Sequence, residues 1–193
     1  MRLAPKLCLS ACALIAVIAP NAQTLSDQVT VTSLSGPTYI YEANKTITTN
    51  GTVTATSGTT VSFVAGTQIT LSNGFHAAAG SQFHAAIAQP DYSVTLSPTD
   101  PPVTSGFQIA YTVSVYSLFG FSGTVYFSSA SIIGGPSGLV TSFSQQSVTV
   151  SPDHPAYATL NVTPANIPAG NYTLTVVTAS LGYPNHDATA QIS

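Results

Sequence analysis

Apolar and polar residues alternate in short stretches through the first half of the chain, from Thr38 to Ile87. The apolar positions come two residues apart, and each set predicts a short strand with one buried face. The sets are Val53 with Ala55, Val61 with Phe63, Ile69 with Leu71, Phe75 with Ala77, and Phe83 with Ala85 and Ile87. Glycines separate them, and the step from Val53 to Val61 to Ile69 is eight residues each time. Such a fixed period predicts a solenoid-like stack, in which each rung buries its face only against its neighbours.

From Asp91 onward the alternation runs over longer stretches, separated by proline, glycine and asparagine. The predicted strands are Tyr92–Leu96, Phe107–Tyr116, Gly123–Phe127, Ser147–Val150, Ala156–Val162, Tyr172–Thr178 and Asp187–Ile192, with an additional strand near Leu139–Phe143. In the second of them, Phe107, Ile109 and Tyr111 are expected to share the inner face with Val113 and Val115. Seven to eight strands in about 100 residues have the size and spacing of an immunoglobulin-like β-sandwich.

The composition supports strands throughout. Valine, threonine, isoleucine and tyrosine are plentiful, whereas lysine, glutamate and arginine are nearly absent, so strand propensity is high and helix propensity is low. The predicted fold class is therefore all-β, a short β-solenoid-like stack followed by a sandwich. The pattern changes near Gln89-Pro90, and we place the module boundary there, with the stack at 23–90 and the sandwich at 91–193.

The segment 1–22 has the layout of a secretory signal peptide. Arg2 and Lys6 precede an apolar run from Leu7 to Ala19, which ends at Pro20-Asn21-Ala22. The run is shorter than the roughly 20 residues that cross a bilayer, so we predict a secreted protein, extracellular or at the cell surface, with no transmembrane segment in the mature chain. Both cysteines lie in this segment, and Leu9-Ser10-Ala11-Cys12 spells a lipoprotein-type motif. Because the apolar run continues past Cys12, cleavage after Ala22 is preferred to lipidation, which stays open.

The charge of the mature chain excludes some classes of partner. Once the predicted signal peptide is removed, Lys45 is the only basic residue against six acidic ones. Binding to nucleic acid needs clustered lysine and arginine, so nucleic acid is not a predicted partner. The remaining surface is expected to be a neutral layer of threonine, serine, asparagine and glutamine.

Two stretches resemble known families. The run from Ile69 to Ile87, with Gly74-Phe75-His76-Ala77 and Gln82-Phe83-His84-Ala85, resembles the three-coathanger stack domain of secreted bacterial surface proteins, over roughly Ser33 to Ile87. The resemblance implies an accessory module without catalytic residues.

The second half resembles bacterial immunoglobulin-like repeats of secreted and cell-surface proteins. The matching phrases run from Ser93 to Pro98, from Gly120 to Val125, from Thr141 to Ser144 and from Ile167 to Val176. Where such repeats read Gly-Leu-Pro-x-Gly, this chain has a different loop from Gly134 to Leu139. Tyr172 stands where such sandwiches place a tyrosine corner.

No catalytic or metal-binding pattern stands out. The chain has no Gly-x-Ser-x-Gly elbow, its carboxylates are scattered, and we predict neither an enzyme nor a cofactor. His76 and His84 are eight residues apart and could stack on adjacent rungs, but two ligands do not make a stable zinc site. A histidine-based metal-binding protein is therefore only a third hypothesis.

The leading hypothesis is a non-catalytic structural or adhesion protein of the bacterial cell surface, whose partner is a cell-surface protein or polysaccharide. The alternative is a carbohydrate-binding accessory protein in which exposed rings stack on sugars. The candidate rings are Tyr116, Tyr126, Tyr39 and Tyr41. The first two alternate out of phase with the core positions of their strands and are expected to be more exposed than those positions. The open ends of the stack could also pair with another copy.

Overall fold

The computed structural model describes residues 25–34, 36–99, 101, 107–133, 139–164 and 170–192. Every regular element in this part of the chain is a strand, so the predicted all-β fold class is confirmed. The predicted signal peptide and the loop 134–138 lie outside the described residues.

The first eight strands are short and belong to the stack. They are β1 (Gln28–Val31), β2 (Thr38–Ala43), β3 (Thr46–Thr49), β4 (Val53–Ala55), β5 (Thr60–Ala65), β6 (Gln68–Thr70), β7 (Phe75–Ala77) and β8 (Gln82–Ile87). They form three parallel sheets with the orders β1-β3-β6, β2-β5-β8 and β4-β7. The chain therefore winds through three coils: a first coil with β1 and β2, a second with β3 to β5, and a third with β6 to β8.

The repeat of the stack is longer than the sequence pattern predicted. Thr60 lies in register with Thr38 on one side and with Gln82 on the other, so one full coil extends from Thr38 to Thr60 and the next from Thr60 to Gln82. The eight-residue step instead leads from one side of the winding chain to the neighbouring side, as from Val53 in β4 to Val61 in β5. Reading the shorter step as the rung-to-rung distance was wrong, because alternation shows which face of a strand is buried but not which strand lies above it.

The core of the stack is centred on Phe63 in β5. Its side chain is fully buried, and its ring meets those of Tyr41 and Phe83 edge-on, at centroid distances of 5.4 and 5.3 Å. Phe75 adds a tilted ring 6.2 Å away. All three coils thus contribute an aromatic ring to one cluster.

The last eight strands form the sandwich. They are β9 (Asp91–Ser97), β10 (Ile109–Leu118), β11 (Gly123–Ile133), β12 (Leu139–Phe143), β13 (Ser147–Val150), β14 (Ala156–Pro164), β15 (Tyr172–Ala179) and β16 (His186–Ile192). They pair antiparallel into two four-stranded sheets with the orders β12-β14-β10-β9 and β13-β11-β15-β16. The strands predicted at Leu139–Phe143 and Ser147–Val150 have the predicted bounds but belong to different sheets.

Side chains of both sheets meet in one core, in which Tyr92, Tyr111 and Phe121 are fully buried. Phe107 departs from the prediction: β10 begins only at Ile109, and the Phe107 side chain is 69% exposed. Since Phe107 precedes the first paired residue of β10, the alternation of the strand does not orient its ring. Tyr172 lies at the start of β15, packed on the edge of the core with its ring over Gly170.

The two modules touch at one corner of the stack. A Cβ on Gly66 would overlap the backbone carbonyl oxygens of Asn44, in the stack, and of Phe119, in the turn between β10 and β11. Phe119 and Gly120 have φ angles of 53° and 85°, so both residues of this turn have φ angles in the left-handed region. The close approach of the two backbones at Gly66 leaves no room for a side chain.

A small charged cluster stands at the same corner. Lys45 donates a hydrogen bond to the carboxylate of Asp27, and its Nζ lies 3.7 Å from Oδ2 of Asp153 in the sandwich. The hydrogen bond from Lys45 is the main cause that lowers the pKa of Asp27 below its ordinary 3.8, and the same bond raises the pKa of Lys45. The cluster links the only basic residue of the chain after the predicted signal peptide to both modules.

We expect Asp27→Asn to lower the melting temperature slightly at neutral pH. Because the pKa of Asp27 is lower in the folded chain, the stabilisation is complete above pH 3.8 and disappears as pH falls through the folded pKa. The difference in melting temperature between variant and wild type should therefore shrink below that pH in a calorimetric series. Asp187→Asn, at an exposed carboxylate, is the control, and an equal effect there would contradict the role of the corner cluster.

Candidate functional site

The outer face of the sheet β12-β14-β10-β9 carries two neighbouring tyrosines, Tyr116 on β10 and Tyr157 on β14. Ser114 lies in register with Tyr157, and Tyr116 is two residues further along the same face of β10. The two tyrosines are therefore diagonal cross-strand neighbours, a position from which aromatic side chains reach each other. We call this surface the tyrosine face.

Hydroxyl side chains lie beside the two rings on β9 and β10. On β9, Ser93 lies in register with Tyr116 and Thr95 with Ser114, and Thr112 pairs with Thr159 further along. Tyr157 is 52% exposed and Tyr116 is half-buried, while Ser114 between them is buried. An accessible ring beside neutral hydrogen-bonding groups is a combination that can take up a sugar, whose C–H surface stacks on the ring and whose hydroxyls need neutral partners.

Tyr157 was not among the rings selected from the sequence, although the alternation of its strand indicated an outward side chain. It is out of phase with the buried residues Ala158, Leu160 and Val162 of its own strand, as Tyr116 is on β10. The same reasoning that selected Tyr116 would have selected Tyr157.

Tyr126 lies on the opposite side of the sandwich. It belongs to β11, in register with Ser147 of β13 and Ala179 of β15, and its side chain is 53% exposed. Its predicted exposure agrees with the structure. Because the hydrophobic core separates the two sheets, however, Tyr126 cannot contribute to the same binding surface as Tyr116.

Tyr39 and Tyr41 are half-buried on the first coil, packed against the stack core, and do not form an exposed row. Their rings are nearly parallel, with centroids 6.2 Å apart, and both pack against the buried cluster. Burial, with a smaller effect of Tyr39, raises the pKa of Tyr41. These two rings cover the end of the first coil, with the same intermediate exposure as Tyr116.

His76 and His84 do not lie one above the other. His76 is on β7 in register with Thr54, whereas His84 is on β8 in register with Ser62, so the two histidines occupy different sides of the same coil. The predicted stacking on adjacent rungs was wrong, because a step of eight residues turns one corner of the winding chain and does not reach the position directly above. Within the described ranges, no three histidine, cysteine, aspartate or glutamate side chains come together to hold a metal ion.

A histidine–aspartate pair joins the first and last strands of the sandwich. His186 Nε2 lies 2.7 Å from Oδ1 of Asp91, which also accepts a hydrogen bond from the Tyr92 backbone N–H. The His186 ring stands edge-on to the buried Tyr92 ring, at a centroid distance of 4.6 Å. Burial is the main cause that raises the pKa of the Tyr92 hydroxyl. The His186–Asp91 pair connects β16 to β9, which is a structural role.

No family model and no curated protein matches the chain. Among solved structures, a conjugative transposon lipoprotein from Bacteroides eggerthii DSM 20697 is similar over 53% of this chain and 96% of its own length. The TM-score is 0.36 and the sequence identity 14%. A likeness this distant defines neither a family nor a function for the chain.

In the part of the chain that the structure covers, no helix has the length and hydrophobicity needed to cross a membrane.

Proposed function

We propose that this chain is a secreted, non-catalytic structural or adhesion protein of the bacterial cell surface. The observation that carries the proposal is the hydroxyl-rich outer surface of the sandwich, whose strands present serine, threonine and tyrosine side chains around a well-packed core. The contact of Gly66 with the Phe119 turn makes the stack a support for that surface. The signal peptide predicted at 1–22 and the resemblances to a three-coathanger stack and to bacterial immunoglobulin-like repeats support the same function.

Surface labelling tests this proposal. The full chain is expressed in a bacterial host, and intact cells and culture medium are probed with an antibody against the sandwich. We expect the protein in the medium or accessible on intact cells, with the segment 1–22 removed. Retention of the uncleaved chain in the cytoplasm would overturn the proposal.

The tyrosine face favours a second candidate function, the binding of a neutral polysaccharide. Tyr116 and Tyr157 lie side by side, one of them half exposed, and the surrounding groups are hydroxyls. If the chain has this second function, its adhesion partner is a glycan, which binds to the sheet β12-β14-β10-β9 of the sandwich.

We expect Tyr157→Ala to weaken polysaccharide binding by at least about tenfold, since losing one stacked ring costs on the order of 1.4 kcal/mol. Tyr116→Ala should weaken it by a smaller factor, because that ring is less exposed. The measurement is a titration of the full exported chain against a panel of neutral polysaccharides. Tyr126→Ala, the same change on the opposite sheet, is the control. Binding that is lost equally in the Tyr126 variant, or no binding by the wild type, would reject this function.

A further inference from the structure

The third coil leaves the end of the stack open. Ile87 is 52% exposed and Leu71 41%, whereas Ala65, the residue in register with Ile87 one coil below, is fully buried. Phe75 and Phe83, whose rings belong to the aromatic cluster of the core, are only half-buried. The side chains that would meet a fourth coil are therefore apolar and partly in water.

The open end also has a recess and free backbone groups. An open cavity of about 320 Å³ is lined by Thr67, Gln68, Ile69, Ala85, Ala86 and Ile87. The Gln82 N–H donates toward β5, as does that of Ala88. Since backbone groups alternate along a strand, those of Phe83, Ala85 and Ile87 point to the open edge. The same three residues direct their side chains into the stack.

The third coil lacks the devices that normally protect an exposed strand edge. Natural proteins block such edges with charged residues or proline, but the segment from Gln68 to Ile87 contains no aspartate, glutamate, lysine, arginine or proline. Two copies of this surface can therefore approach without repulsion between fixed charges. The exposed apolar side chains favour such an approach.

The other end of the stack is different. There, Val31 and Ala43 of the first coil are buried, beneath Tyr39, Tyr41 and Leu34, which are half-buried and pack on the core. A head-to-tail contact would have to join this closed end to the open one and would propagate into a filament. A contact between two open ends closes after two copies.

We propose that a second copy of this chain covers the open end, so that two stacks join through their third coils in a two-fold dimer. The strand β8 runs antiparallel to β8 of the second copy, with the two Ala85 residues opposite each other. This register pairs Phe83 of one copy with Ile87 of the other. The side chains of Phe83, Ala85 and Ile87 then face the interior of the stack in both copies. The dimer presents two sandwiches and does not depend on the proposed surface function.

Sedimentation velocity of the full exported chain over a range of micromolar concentrations tests the dimer. We expect the wild type to reach a dimer and go no further, and Ala85→Arg to raise the dissociation constant at least about tenfold. Gln82→Arg, on the outer face of the same strand, is the matched control and should change it little. Because Ala85 is exposed in the single copy, circular dichroism should show that the Ala85 variant stays folded. Ile87→Arg provides a second variant at the same end.

Cysteine crosslinking tests the register. The chain after the predicted signal peptide contains no cysteine, so Ala85→Cys adds one thiol to this part, and in the proposed dimer the two Cα atoms lie about 5.5 Å apart, within disulfide reach. We expect a crosslinked dimer with Ala85→Cys and none with Gln82→Cys. A wild type that is monomeric at every concentration, a continuing series of larger oligomers, or equal crosslinking at both positions would overturn the proposal.

Discussion

Phe63→Ala is expected to destabilise the stack by about 3–5 kcal/mol, the usual cost of removing a fully buried phenylalanine. The ring is the centre of the aromatic cluster, because it contacts Tyr41 of the first coil and Phe75 and Phe83 of the third. Its loss leaves a cavity between all three coils at once. Neighbouring coils in a stack stabilise one another, so the damage should spread through the module.

Urea unfolding, followed by circular dichroism, measures this effect. Phe107→Ala is the matched control, because it makes the same change at a ring that is 69% exposed. We expect the control to stay within about 0.5 kcal/mol of the wild type. A Phe63 variant that unfolds at the same urea concentration as the control would show that the cluster does not hold the coils together.

Gly66→Ala is the second change with a large expected effect. The added methyl would overlap the backbone carbonyls of Asn44 and Phe119, and backbone atoms cannot move aside as the end of a side chain can. We expect a loss of about 1–3 kcal/mol, typical of overpacking. The overlap with Asn44 lies within the stack and should distort the coil, whereas the overlap with Phe119 is relieved if the whole turn shifts, which would open the contact between stack and sandwich.

Calorimetry and limited proteolysis together distinguish this opening from general destabilisation. The Gly66 variant should show separate unfolding of the two modules and faster cleavage near Gln89-Pro90, between β8 and β9. Gly58→Ala is the comparison, since its Cβ meets no atom within 4 Å but its φ of 80° strains the backbone. The Gly58 variant should be less stable than the wild type, but its two modules should still unfold together. Equal cleavage in both variants would mean that Gly66 does not control the junction.

Much of the strand content could be predicted from the sequence. Two strands, β12 and β13, have the predicted bounds, because alternation of apolar and polar residues is a local signal with a period of two. Phe107 shows the limit of that signal, since it continues the pattern of β10 but stands outside the paired part of the strand. The candidate site could be predicted only in part. Alternation selected Tyr116 and would also have selected Tyr157. No local feature of the sequence indicated that Tyr126 lies on the other sheet.

Composition and alternation were enough to predict the class of the protein: all-β, rich in threonine and serine, with one lysine and no arginine after the predicted signal peptide and no recognisable catalytic pattern. Which strands are neighbours became clear from the three-dimensional fold. It set the length of the coil, separated His76 from His84, brought Tyr157 beside Tyr116 and left the third coil open. The difference arises because side-chain alternation depends on the backbone of one strand, whereas strand neighbours depend on turns and on packing between residues far apart in the chain.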